Sequence, residues 1–207
     1  MNFSLENQLL NDTQGLLHFS DMNLWIQNWL DDEKDRLKLG VLATVDENNY
    51  PRSRSVAIRE IDANQVLFFT QKGSQKVSQL KMNPRVSMTV ILQENRRQII
   101  FEGVAKPLTA QENIKYWSNY PKESRVRFMT YGALSRGVLS DKKKLDLILS
   151  DLQERYKDSD PNCPEAYMGY RINTHTLKLY QLNDEILSDS YIAAKKNDAW
   201  FVQRVVP

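Results

Sequence analysis

From residue 39 to residue 105 the chain is written almost entirely in short runs of β-branched, aromatic and aliphatic residues, each closed by turn formers. Such runs read as strands, and links this short join antiparallel neighbours. They fall at 39–45, 52–61 and 66–70, with Asp46-Glu47-Asn48-Asn49 and Asp62-Ala63-Asn64 as the turns: a three-strand meander. Gly73-Ser74 opens a short helix with Val77 and Leu80 as its apolar stripe and Pro84 beyond its end. Strands 86–92 and 98–105 follow across the polar turn Gln93-Glu94-Asn95-Arg96, so the sheet has at least five strands.

The flanking segments have a different texture. Residues 1–20 are polar, lack sustained periodicity and read as an extended or mobile arm. Asp21 can cap a helix carrying Leu24, Trp25, Trp29 and Leu30 at helical spacing, which should lie against the sheet. Thr109-Ala110-Gln111-Glu112 is a capping box that starts a helix with Ile114 and Trp117; Pro121 interrupts it. Further helices are expected at 124–133 and 141–156, then strands at 167–172, 177–182, 191–194 and 200–206, with His175 in a connecting turn. The expectation is one α+β domain over residues 21–207 with flanking helices, its antiparallel sheet closed into a barrel because so many short strands otherwise leave exposed edges.

Composition removes several function classes. Lys+Arg number 28 against 26 Asp+Glu, a net charge of +2, so no general field attracts nucleic acid or an anionic membrane and any basic site is local. No apolar run nears the roughly 18 residues that span a bilayer, and Leu9, Leu10, Leu16 and Leu17 stand without a charged leader; the expected location is cytoplasmic. Cys163 alone, with His18 and His175, supports neither a disulfide nor a zinc site, and no metal is expected. Neither histidine has a visible partner for a nucleophilic triad.

Two segments carry chemistry. In strand 52–61, a period of two puts Arg54 on the face of Val56 and Ile58, and a guanidinium on an apolar face either meets an anion or snorkels to water. In Phe69-Thr70-Gln71-Lys72-Gly73-Ser74-Gln75-Lys76 a strand end, a glycine turn and a helix start place free N–H groups, a hydroxyl and an ammonium together, as a phosphate requires; Ser74 serves equally as a plain cap. Neighbouring meander strands can bring Arg54, Ser74 and Lys76 to one dianion.

With these segments in place, residues 39–207 resemble the pyridoxamine 5′-phosphate oxidase family of FMN-binding split β-barrels. The resemblance runs through Leu42-Ala43-Thr44-Val45-Asp46, Pro51 to Arg59, Phe68-Phe69-Thr70 with Gly73-Ser74 and Lys76, Asn83-Pro84-Arg85-Val86-Ser87, Arg97-Gln98, and Asn197-Asp198-Ala199-Trp200 with Arg204 and Pro207. It implies a homodimer with FMN at the interface, residues from about 165 onward resembling the family's dimerisation region. It implies cofactor contacts from Arg54, Ser55, Val56, Ala57, Ile58, Arg59, Phe69, Thr70, Ser74, Gln75, Lys76, Gln98, Tyr180 and Ser190. The substrate would meet Arg59, Tyr116, Tyr120, Ser124, Ile186 and Ser188. The implied reaction is hydride transfer from the C4′ carbon of pyridoxamine or pyridoxine 5′-phosphate to flavin N5, with reoxidation by dioxygen.

Departures from the family pattern cluster. Gln75 and Tyr120 stand where the family has basic residues, Arg59 replaces a usual Lys, and Tyr180 an aromatic that is commonly Trp. Ile186-Leu187-Ser188-Asp189-Ser190 replaces Arg-Leu-His-Asp-Arg, and Ala133-Leu134 a Gln-Ser pair. With hydrogen bonds to charged groups contributing about 1.5–3 kcal/mol each, two missing arginines weaken phosphate recognition roughly 10²- to 10⁴-fold. Alternatives are an FMN-dependent reductase of another small planar molecule, or a non-catalytic module binding FMN, PLP or haem.

Overall fold

The computed structural model describes residues 14–31, 38–133, 141–183 and 187–207. Among them are nine strands and five helices: β1 (Gln14–His18), α1 (Phe19–Asp31), β2 (Leu39–Val45), β3 (Pro51–Ile61), β4 (Gln65–Gln71), α2 (Gln75–Met82), β5 (Arg85–Leu92), β6 (Arg97–Pro107), α3 (Ala110–Ser118), α4 (Lys122–Ala133), α5 (Lys143–Arg155), β7 (Tyr167–Gln181), β8 (Asp189–Lys196) and β9 (Ala199–Val205). The α+β class holds, and the barrel closes. The order β7-β4-β3-β2-β5-β6 returns to β7, giving six antiparallel strands with no free edge, while β8, β9 and β1 extend the sheet from β7.

Closure depends on β7. Its first half, through Asn173, pairs with β4 and its second half, from Thr176, with β8, while β6 runs along its other side from Tyr170 to Gln181. The polar run Asn173-Thr174-His175-Thr176, expected to break this segment into two strands, is continuous strand, and His175 is an exposed strand residue rather than part of a turn. The β6 ladder continues past this run with His175 as the bulged residue, and Thr174 N–H bonds Asn64 O at 2.8 Å, so distant partners hold extended what the local sequence does not.

The expected arm is also corrected. Residues 1–13 lie outside the described residues, but Gln14–His18 is a strand paired with β9, and α1 begins at Phe19, which puts Asp21 inside the first turn rather than at the cap. α1 buries Met22, Trp25, Ile26, Trp29 and Leu30, positions recurring at three and four, and Trp25 meets Tyr191 edge to face at 5.3 Å. Asn23 and Gln27 pin the helix to the β3–β4 turn through Ala63 N–H and Ile61 O, both at 2.9 Å.

Inside the barrel, Leu42, Val56, Ile58, Phe68, Met88, Ile99, Phe101 and Leu177 pack as one core, each inward residue alternating with an outward one. Where β7 bulges at His175, opposite Glu102 and Gly103 of β6, a Cβ on Gly103 would lie 2.2 Å from the Asn173 carbonyl oxygen. Gly103→Ala should therefore lower unfolding free energy by about 1–3 kcal/mol, read from the urea midpoint. Gly15→Ala, with nothing within 4 Å of the added methyl, should leave it nearly unchanged.

Candidate functional site

Strand alternation gives β3 two working faces. Arg54, Val56 and Ile58 point inward as expected, with Val56 and Ile58 in the core; those two can meet a ligand only through their backbone. Ser55, Ala57 and Arg59 are exposed on the outer face. Arg54 stands at the barrel mouth, where its guanidinium donates to Thr44 Oγ1 (2.6 Å), Gln79 Oε1 (2.7 Å) and Leu42 O (3.3 Å). Thr44 in turn donates to Gln79 Oε1 at 2.7 Å, and the Thr44 and Gln79 side chains are buried.

α2 delivers the second cation. Ser74 has the extended backbone of an N-cap, yet its hydroxyl makes no cap bond; it shares a hydrogen with Thr70 Oγ1 at 3.1 Å. Lys76 Nζ donates to the same Thr70 oxygen at 3.0 Å. Among the described residues neither Arg54 nor Lys76 forms an ion pair. Burial lowers the pKa of both, and the charge of Arg54 lowers that of Lys76 further. Two half-buried cations surrounded by neutral oxygens beside an uncapped helix N-terminus are the electrostatic complement of a dianion, which would relieve both shifts.

These side chains line a pocket of about 990 Å³ that also takes in Arg52, Asp46, Glu47 and the exposed Gln75. Burial works against the Asp46 carboxylate, but Arg52 (2.8 Å) and the N–H groups of Tyr50 (3.0 Å) and Asn48 (2.9 Å) outweigh it and hold it below the ordinary range. Asp46 is thus committed to its own turn.

Arg59 stands at a separate place, the outer end of β3. A bulge between Ile58 and Glu60 leaves Arg59 and Glu60 both exposed. The Arg59 guanidinium lies 3.5 Å from the centre of the Tyr120 ring. Tyr116 packs against Phe69 at 5.3 Å; burial first, then the nearby Glu60, raises its pKa, partly offset by Arg171. Arg171 is paired with Glu112 at 3.1 Å. Phe69 stacks on Tyr167 at 4.6 Å, opposite Gly169, where a Cβ would come within 2.6 Å of both Phe69 and Leu108. Burial pushes the Tyr167 phenol far up, and its oxygen has no partner. Ser124 is in the first turn of α4 with its N–H on Pro121 O at 3.0 Å.

Gln98, Tyr180 and Ser190 share one rung across β6, β7 and β8, all on the outer face opposite Ile99, Leu179 and Tyr191. The structure therefore gathers the expected residues into three groups: Arg54 with Thr70, Ser74, Gln75 and Lys76; Arg59 with Phe69, Tyr116 and Tyr120; and this rung. Ser188 lies in the loop before β8, its oxygen 3.4 Å from Asn183 N. Ile186 and Leu134 lie outside the described residues.

Thr44 and Gln79, which hold Arg54, are positions the sequence alone did not single out. Both carry a readable signal: Thr44 shares the inward face of Leu42, and Gln79 is three residues after Lys76 on the same helix. Glu60 carries none, since strand alternation puts it on the Arg54 face.

The order of these strands and helices is matched by known proteins. The sequence profile described as "Pyridoxamine 5'-phosphate oxidase" matches residues 29–148, more than half of the chain. The chain belongs to the pyridoxamine 5′-phosphate oxidase family. A pyridoxine/pyridoxamine 5′-phosphate oxidase of Vibrio cholerae serotype O1 (strain M66-2) is 30% identical over 185 residues, 89% of this chain and 87% of that protein. One from Pseudomonas paraeruginosa (strain PA7) is 30% identical over 194 residues, 91% and 89% of the two chains. Among solved structures, PhzG from Burkholderia lata 383, in complex with tetrahydrophenazine-1-carboxylic acid, has a TM-score of 0.75 at 22% identity, covering 89% of this chain and 91% of its own. A pyridoxamine 5′-phosphate oxidase-related FMN-binding protein from Nostoc punctiforme PCC 73102 has 0.72 at 16% identity, covering 88% and 96%. Both share the fold of this family member.

The bond network makes Gln79 the residue that aims Arg54. If the dianion held here is the phosphate of FMN, Gln79→Leu should weaken FMN roughly 10- to 100-fold, the loss of a hydrogen bond to a charged group, and leave riboflavin, which has no phosphate, unchanged in parallel fluorescence titrations. An equal loss for both flavins would mean that Gln79 only supports the fold.

Proposed function

We propose that this protein is an FMN-dependent oxidoreductase, an oxidase of the pyridoxamine 5′-phosphate oxidase type with altered substrate recognition, working as a homodimer. The observation that carries the reading is the pair of unneutralised cations, Arg54 and Lys76, beside an uncapped helix N-terminus. In this reading they hold the FMN phosphate together with Ser74 and the first N–H groups of α2. Charge-assisted bonds of this kind are roughly twice as strong as neutral ones. The β3 backbone and the outer Ser55 and Ala57 follow the cofactor, and Gln98, Tyr180 and Ser190 flank it. When bound, FMN supplies the hydride acceptor; the chain's own residues bind and orient both partners.

The homodimer rests on a second observation. Leu39, Val41 and Ile91 are large apolar residues exposed on the outer face of β2 and β5, next to the uncharged Ser55, Ala57 and Thr89. A charge-poor sheet face of this kind is suited to burial against another chain. The rung of Gln98, Tyr180 and Ser190 projects from the outer side, whereas Arg54 points into the barrel mouth, and a second copy is the means of bringing both sets to one cofactor.

A second reading, reduction or oxidation of a different planar molecule, draws on Tyr120 and Glu60, which stand at the substrate end in place of added positive charge. PhzG, similar in fold, is in complex with tetrahydrophenazine-1-carboxylic acid. A non-catalytic flavin module has the same fold and is separated by chemistry alone.

The purified protein should be yellow, and Arg54→Ala should abolish flavin retention; a colourless protein that ignores millimolar FMN, or an Arg54→Ala protein that keeps its flavin, would refute the phosphate assignment. Without oxygen, bleaching of the flavin band by pyridoxamine 5′-phosphate reports hydride transfer from that substrate. A stable band shifts the assignment to the second reading. For the interface, Ile91→Asp should convert a sedimenting dimer to monomer and release flavin; a wild-type monomer would remove the dimer from the proposal.

A further inference from the structure

The Arg59 end of β3 has the wrong charge for a phosphate ester. One-residue bulging turns Glu60 out on the same side as Arg59, where strand alternation alone would have kept it away. The Tyr116 phenol lies near the Glu60 carboxylate and the Arg171 guanidinium, which act on it in opposite directions. Arg171 is itself paired with Glu112. Arg171 is thus committed to Glu112, and a dianion approaching Arg59 meets that one cation together with the Glu60 carboxylate turned out beside it.

Arg59 is nevertheless well prepared for a different anion. Its guanidinium lies 3.5 Å from the Tyr120 ring centre, and among the described residues it forms no ion pair. A guanidinium covered on one face by a ring is held in orientation while the N–H groups on its edge stay available. Two of those edge donors match the two oxygens of one carboxylate, a planar monoanion. The aromatic rings beside it, Tyr120 and Tyr116, favour a substrate whose body is also flat and apolar.

We propose that the substrate-binding end of this site, at Arg59, Glu60, Tyr116 and Tyr120, selects an aromatic substrate bearing a single carboxylate and discriminates against phosphate esters. This rests on the functional reading above, since it takes the Arg59 end to be where the substrate of a flavin-loaded enzyme lies. Glu60 supplies the discrimination by repelling the second negative charge. Tyr120 supplies the positioning by fixing the plane of the Arg59 fork.

The test uses a matched pair of probes, 2-naphthoate and 2-naphthyl phosphate, which share a ring system and differ in the anion. Titration calorimetry on FMN-saturated protein should show 2-naphthoate binding at least about tenfold more tightly, the difference of one charge-assisted contact. Arg59→Met should abolish the preference. Glu60→Gln should improve 2-naphthyl phosphate binding and leave 2-naphthoate little changed. Tyr120→Arg, which adds a second cation, should invert the order. Equal or tighter binding of the phosphate by the wild-type protein would overturn the proposal, as would no heat from either probe or an unaltered ratio in Glu60→Gln. Flavin content, read from absorbance before each titration, separates the two failures. A protein that takes up no FMN refutes the functional reading, whereas a flavin-loaded protein that prefers the phosphate refutes only this one.

Discussion

Arg54 is held at the barrel mouth by neutral oxygens alone, and the character of the site follows from that neutrality. Had a carboxylate stood where Gln79 stands, it would have satisfied the guanidinium just as well and cancelled its charge. An amide oxygen accepts from Arg54 and Thr44 at once, fixes the geometry, and leaves the positive charge uncompensated. The same logic governs Lys76, which rests on a threonine hydroxyl. Burying two cations without a counter-ion is unfavourable. The direction of both pKa shifts records that strain, and an incoming dianion removes it.

The barrel makes this arrangement affordable in structural terms. Six strands closed on themselves bury a continuous core from Leu42 to Leu177, and the strand ends around the mouth are held in register by ladders on both sides. Arg54 is thus fixed by backbone on β3, Thr44 by backbone on β2, and only Gln79 and Lys76 arrive on a helix. α2 is itself seated by Val77 and Leu80, which are buried. A shift of α2 would move both helix-borne groups together and preserve their spacing.

How much of this was legible in the sequence depends on whether the relevant physics is local. The Arg54 to Lys76 pocket was readable because strand alternation, a glycine turn and a helix start are each set within a few residues. The capping box at Thr109 was readable for the same reason and is present with both of its bonds. β7 was not, because Asn173-Thr174-His175-Thr176 has the composition of a turn and is kept extended by partners far away in sequence. Ser74 stands at the cap position as its sequence suggests, and only the nearby Thr70 hydroxyl shows why its side chain makes no cap bond. Tyr120 was visible as a missing arginine, but its stacking on Arg59 depends on how the turn after α3 meets β3.

The bulge at Arg59 is the sharpest case, because one inserted residue changes what the site can recognise. A carboxylate turned out on the same side as Arg59 repels an incoming anion, and it repels a dianion more than a monoanion. At the other end of the same strand, period-two alternation holds and Arg54 is joined by a second cation, with no carboxylate among the described residues bonded to either. One strand therefore presents two anion sites of different valence. The regular segment suits a dianion and the bulged segment a monoanion, and the register shift between Ile58 and Glu60 is the structural origin of the difference.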